Sequence, residues 1–83
     1  MALAPSQLRR AIAHLERGEW RAAHVIVQKD EHSPLACWAH GIVHLMEGDL
    51  ANARYWYGEA GRPFPEPPSV QAEISQLAAE LGK

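Results

Sequence analysis

A short internal repeat constrains the fold of this chain more than any other feature of its sequence. Residues 10–23 align with residues 40–53 without a gap, at a constant offset of 30. Five of the fourteen aligned pairs are identical: Ile12/Ile42, His14/His44, Leu15/Leu45, Gly18/Gly48 and Ala23/Ala53. Similarity at a fixed period is typical of repeated supersecondary units that bury their apolar faces against one another. We therefore predict that the chain contains two copies of one small unit.

Each unit has the apolar spacing of two short helices. The first helices follow the i, i+3, i+4, i+7 spacing of one helical face: Leu8, Ala11, Ile12 and Leu15, then Leu35, Trp38, Ala39 and Ile42. The second helices carry similar stripes: Trp20, Ala23 and Val27, then Leu50, Ala53, Tyr57 and Ala60. Gly18 and Gly48 lie where a first helix must end, because glycine adopts the left-handed conformation after a helix at little cost. The sequence predicts an all-α fold with antiparallel helix–turn–helix hairpins over about residues 6–30 and 33–60.

A proline-rich connector and a last helix follow the second hairpin. Residues 61–68 contain four prolines, so this segment is expected to be extended, with Phe64 holding it against the core. Ser69 is a suitable N-cap for an amphipathic helix over residues 69–82. With 83 residues in all, the chain is expected to form one domain.

The second unit resembles the tetratricopeptide repeat. The resemblance is carried by small residues, a turn glycine, an aromatic residue and a closing proline: Gly41, Gly48, Leu50, Ala53, Tyr57, Ala60 and Pro65. The first unit departs from the pattern, since Asp30 stands at a small-residue position and the period is 30 rather than about 34 residues. The resemblance covers about residues 6–65, and the last helix resembles the capping helix of such arrays. Residues 47–62 also resemble small stand-alone bacterial proteins.

The resemblance implies a fold and a class of function. It implies an α–α superhelix of two divergent repeats with a capping helix. It also implies a non-catalytic module that binds a protein or peptide partner in the concave face lined by the first helices. Arrays of this kind normally need three or more units to bury a continuous core, so we also expect a homodimer. Residues 1–29 have a net charge of +3 and residues 30–83 of −5, an asymmetry that either helps two copies associate or gives two differently solvated faces.

Composition and hydropathy argue against several other classes of protein. A net charge of −2 disfavours a nucleic-acid binder, and one cysteine, Cys37, excludes an internal disulfide framework. No apolar stretch approaches the length of a membrane span, and the first residues lack the pattern of a secretory leader. We therefore expect a cytoplasmic protein that does not act at a membrane.

A histidine pair is the main candidate for metal chemistry. His40 and His44 are four residues apart on one helical face, and Glu47 follows three residues later. The pattern predicts a possible divalent-metal site of His40 and His44 with Glu47, or with His14 of the neighbouring hairpin. Alternatively, the histidines occupy positions of aromatic packing residues and the protein has no cofactor. Cys37 is expected to be buried and inert, which leaves catalysis as the weaker hypothesis.

A polar and aromatic run on the second hairpin is the main candidate for partner binding. Tryptophan, tyrosine and arginine are the residues that anchor protein interfaces. The candidate partner-binding residues are Asn52, Arg54, Tyr55 and Trp56, together with His40, His44 and Glu47. The alternative is that Trp56 packs under the Phe64 connector or against the last helix. The leading hypothesis is therefore a partner-binding helical module, and the second is a small metal-binding protein or enzyme.

Overall fold

The computed structural model describes residues 2–83, and this part of the chain contains five helices and no strand. The helices are α1 (Pro5–Glu16), α2 (Trp20–Val27), α3 (Pro34–Glu47), α4 (Leu50–Ala60) and α5 (Val70–Leu81). The predicted all-α fold is confirmed. Within residues 2–83, no helix is long and apolar enough to cross a membrane.

Helix α3 is the centre of the molecule. It packs against each of the other four helices, and every residue from position 36 to position 45 is buried. α1 packs on α2 and α3 packs on α4 across short turns. The junction between the two pairs is formed mainly by α2 and α3. Residues of α2 and of α4 therefore contact the long buried helix α3.

The turns within the two helix pairs have the local chemistry that the sequence predicts. Gly48 is the C-cap of α3 with φ +88°, and Gly18 follows the C-cap of α1 with φ +76°. The carboxylate of Asp49 caps α4 by accepting a hydrogen bond from the Asn52 backbone at 3.2 Å. Ser33 stands at the N-cap of α3, but its side chain makes no capping hydrogen bond.

The segment between α4 and α5 is held by aromatic contacts. The Phe64 ring packs edge-on against Tyr57 with centroids 5.6 Å apart, and the Arg54 guanidinium lies 4.2 Å from the centre of the Phe64 ring. The Arg62 guanidinium lies 3.6 Å from the centre of the Trp38 ring. Phe64 therefore has the anchoring role that we predicted for it.

Helix α5 lies across the first helices of both pairs. It packs on α1 and α3 and is fixed by Glu73, whose Oε1 accepts hydrogen bonds from Trp38 Nε1 at 3.0 Å and from the Tyr57 hydroxyl at 2.6 Å. Burial, together with the bond to the Glu73 carboxylate, raises the pKa of Tyr57. α5 thus covers α1 and α3, the helices that the tetratricopeptide resemblance assigns to the peptide-binding face.

Candidate functional site

Three histidines from two helices form a cluster at the junction of the helix pairs. His24 comes from α2, and His40 and His44 come from α3. Their ring centroids are 4.9 Å (His24–His40), 5.5 Å (His24–His44) and 5.1 Å (His40–His44) apart. One ring nitrogen from each histidine lies within 4.8 Å of the other two. The cluster therefore presents three nitrogen atoms to one small volume.

The helical register explains how the cluster forms. His40 and His44 are one turn apart on the same face of α3, as the sequence predicts. His24 lies on the inward stripe of α2, since it follows Trp20 by four residues and precedes Val27 by three. The stripe of Trp20, Ala23 and Val27 was visible in the sequence, so position 24 could have been placed on it. The repeat did not point to His24, because its equivalent at position 54 is an arginine rather than a histidine.

Trp56 forms one wall of the cluster. Its indole stacks on the His40 ring with centroids 3.9 Å apart and planes 9° from parallel. Trp56 is only 9% exposed, so it packs against α3 rather than under the connector or on the last helix. The Tyr55 ring meets Trp56 edge-on at 5.0 Å but is itself 57% exposed. The predicted partner residues Tyr55 and Trp56 are thus adjacent, but only Tyr55 offers a large free surface.

Glu47 lies beside the cluster and contacts one of its rings. Its Oε1 is 2.8 Å from Nδ1 of His44. When Nδ1 donates its proton to this carboxylate, the lone pair of the neutral ring is on Nε2. Glu47, His44 and Asp49 also form a second set of possible ligand atoms within 4.8 Å of one another, nearer the surface. Glu47 is therefore placed to orient His44 rather than to join His24 and His40 directly.

His40 is the most buried member of the cluster. It is 4% exposed, and its Nδ1 has no hydrogen-bond partner among the residues that the structure describes. Burial, and then the neighbouring His24 and His44, lower the pKa of His40 to about 4. The ring is therefore neutral at pH 7 and keeps a lone pair.

Two residues considered for chemistry lie outside the cluster. His14, the repeat equivalent of His44, has its Nδ1 2.8 Å from Oε1 of Glu19 and is not among the clustered histidines. The histidine of the first hairpin that joins the cluster is therefore His24 rather than His14. Cys37 is fully buried, and burial, with the nearby carboxylate of Asp30, raises the pKa of its thiol. This environment is that of a structural cysteine.

The other predicted partner-binding residues have local roles on α4. The Asn52 side-chain nitrogen donates to Asp49 at 3.0 Å, which supports the cap of the helix. The Arg54 guanidinium lies over Phe64 and is 3.7 Å from Glu66, so it faces the connector rather than the cluster. The structure thus brings together His40, His44, Glu47, Tyr55 and Trp56 from the predicted set and separates Arg54 from them.

We call the side of the molecule at which His24, His40, His44 and Trp56 cluster the histidine face. Comparison with protein-family models, with curated proteins and with solved structures finds no match for this chain. The histidine face combines the buried indole of Trp56, three imidazoles and an exposed tyrosine at its edge.

Proposed function

We propose that this protein is a non-catalytic helical module that binds a protein partner at the histidine face, and that a second copy of the chain is such a partner. The observation that carries the proposal is the position of the largest exposed apolar side chains among residues 2–83, which are Val25, Leu50 and Tyr55. Each is the sequence neighbour of a residue at or beside the histidine cluster: His24, Asp49 or Trp56, respectively.

Exposed apolar side chains that gather on one side of a protein are a feature of interaction surfaces, whereas scattered ones need no explanation, and we infer that Val25, Leu50 and Tyr55 form such a group. Tyr55 is suited to anchor an interface, because a tyrosine ring buries a large area on binding and loses little conformational freedom. The Tyr55 ring contacts Trp56, and Trp56 is itself held by stacking on His40. The tetratricopeptide resemblance supports an interaction role too, but α5 already covers α1 and α3.

Charge distribution supports a second copy as the partner. The exposed Arg21 belongs to α2, whereas the exposed Glu59 belongs to α4. In a two-fold dimer through the histidine face whose axis runs along the helices, α2 of one copy would lie near α4 of the other. Opposite charges would then meet across the rim, where they favour the correct orientation more than they add affinity. A net charge of −2 per chain repels a second copy only weakly.

Light scattering over a concentration series tests this proposal. We expect the apparent mass to rise towards twice the 9.2 kDa of one chain as the concentration increases to about 500 µM. Replacing an exposed interface anchor commonly costs more than about 1 kcal/mol, so Tyr55→Ala should weaken association by roughly tenfold.

A matched variant outside the histidine face serves as the control. Gln76 is exposed on α5, and Gln76→Ala should leave association unchanged. A folded wild-type protein that stays monomeric at the highest concentration would rule out the second copy as partner. Equal association by Tyr55→Ala and Gln76→Ala would rule out the histidine face as the surface.

A further inference from the structure

We propose that His24, His40 and His44 together bind one divalent transition-metal ion of the zinc, nickel or copper class. This inference is independent of partner binding, since it concerns the interior of the histidine face rather than its rim. It assigns His24, which belongs to the other helix pair, as the third ligand.

The distances between the ring nitrogens exceed those of a metal site by at most about 1.5 Å. An ion bound tetrahedrally at 2.0–2.1 Å holds its nitrogen ligands about 3.3 Å apart. The three nitrogens here lie within 4.8 Å of one another, so they need to approach by at most about 1.5 Å. His24 is the least buried of the three, so its side chain has the most room to move towards the other two.

The surroundings of His44 add a feature typical of metal sites. A histidine ligand usually donates its second ring nitrogen to a carboxylate, which fixes the ring and makes the other nitrogen a better ligand. The contact of 2.8 Å between His44 Nδ1 and Glu47 has this arrangement. Glu47 is thus a positioning residue for the ion rather than a ligand.

The environment of His40 gives a second, independent indication. Its Nδ1 is buried and has no partner among residues 2–83. A buried nitrogen without a partner is destabilising, and most such atoms are completed by protein, water or a ligand. A bound ion is a partner of the right chemistry for a ring that is stacked on Trp56 and faces two other imidazoles.

The type of ligand selects the class of ion. Imidazole nitrogens suit zinc, copper and nickel, whereas magnesium and calcium prefer oxygen. Three protein ligands leave a fourth tetrahedral position for water or a small anion. An ion at this point would also join α2 to α3 and so tie the two helix pairs together.

Calorimetric titration of the untagged protein with ZnCl₂ at pH 7.5 tests the inference. We expect one ion per chain, with a dissociation constant below about 10 µM. His24→Ala should weaken binding by at least about tenfold, and Glu47→Gln by about 10-fold to 100-fold. His32→Ala is the matched control, because His32 is exposed and lies outside the cluster. Its affinity should equal that of the wild type.

Two results of the titration would overturn the inference. One is wild-type binding weaker than tens of micromolar, and the other is equal affinity in His24→Ala and His32→Ala. A spectroscopic measurement on the wild type covers the case in which a variant does not fold. Zn²⁺ should shift the ring resonances of His24, His40 and His44 in an NMR spectrum and leave those of His14 and His32 in place. Shifts confined to His14 or His32 would contradict the assignment.

Discussion

Gly41 is a point of close approach between α3 and α4. A Cβ atom at this position would lie 2.5 Å from Cδ1 and 2.7 Å from Cε1 of Tyr57. The Tyr57 ring cannot easily move away, since it is fully packed and its hydroxyl is bonded to Glu73. The tetratricopeptide resemblance pointed to a small residue here, and the Tyr57 ring provides the physical reason.

The first prediction concerns this contact. We expect Gly41→Ala to lower the free energy of unfolding by about 1–3 kcal/mol, because overpacking forces side chains or backbone to shift. Gly58→Ala is the control: Gly58 is a helical position with no atom within 4 Å of an added Cβ. It should gain up to about 1 kcal/mol from helix propensity. Urea unfolding measures both, and a Gly41→Ala protein as stable as the wild type would refute the steric argument.

The second prediction concerns Glu73, the acceptor shared by Trp38 and Tyr57. Glu73→Ala leaves two partly buried donors without a partner, so we expect a loss of about 1–3 kcal/mol for each. Glu73→Gln keeps an oxygen that can accept, and it should lose less than Glu73→Ala. Glu66→Ala is the control, because the Glu66 side chain is 71% exposed. Equal unfolding midpoints for Glu73→Ala and Glu66→Ala would show that the shared acceptor does not hold α5.

At the scale of elements, the stacking of Trp56 on His40 fixes the face of α4 that packs on α3. The third prediction separates packing from partner contact on this helix. Trp56→Ala should destabilise the protein by about 3–5 kcal/mol, as large-to-small changes in a core do. Tyr55→Ala should change stability by less than about 1 kcal/mol, because Tyr55 is largely exposed. Thermal and urea unfolding test the pair, and similar losses from the two variants would contradict the assignment.

The segment before α1 is tied to the turn between α2 and α3 by Asp30. Its carboxylate accepts hydrogen bonds from the backbone nitrogens of Leu3 (3.0 Å), His32 (3.1 Å) and Ser33 (3.0 Å). Burial alone would raise the pKa of Asp30, but the bonds from Ser33, Leu3 and His32 outweigh it and lower the pKa well below its ordinary value of 3.8. The charged form is therefore stabilised by folding.

The fourth prediction follows from this pKa. A group whose pKa is lowered in the folded state adds stability above its unfolded pKa and loses it as the pH falls. Asp30→Asn should therefore be less stable than the wild type at pH 7, by about 1–3 kcal/mol. The difference should shrink once the pH falls below about 3.8. Glu31→Gln, at an exposed neighbouring position, should show no such difference. A constant gap for Asp30→Asn between pH 7 and pH 3 would refute this account.

At the scale of the whole molecule, the proposed metal site would act as a cross-link between the two helix pairs. The fifth prediction is that Zn²⁺ at about 100 times its dissociation constant raises the free energy of unfolding by about 2.7 kcal/mol. The increase should fall to about 1.4 kcal/mol or less in His24→Ala, whose affinity is at least about tenfold weaker, and it should vanish after addition of a chelator. His32→Ala should keep the full increase, so a gain of equal size in His24→Ala would place the ion elsewhere.

The repeat illustrates how far sequence similarity extends into structure. His14 and His44 are equivalent in the repeat, and each ring contacts a glutamate at 2.8 Å. Only His44 belongs to the cluster, because His24 and His40 face it, whereas His14 lies nearer solvent beside Glu19. The same residue therefore has two environments, and each is set by the helix that packs beside it.

Sequence alone was enough to predict the five helices, the turns at Gly18 and Gly48, the N-cap at Ser69 and the anchoring of Phe64. These features depend on spacing along one helix or on the conformational freedom of one residue, so they are encoded within a few positions of the chain. Tertiary structure alone decided that His24 joins His40 and His44, that Trp56 stacks on His40 and that α5 covers α1 and α3. These contacts join residues far apart in sequence, and their formation depends on how side chains of different size fit where helices cross.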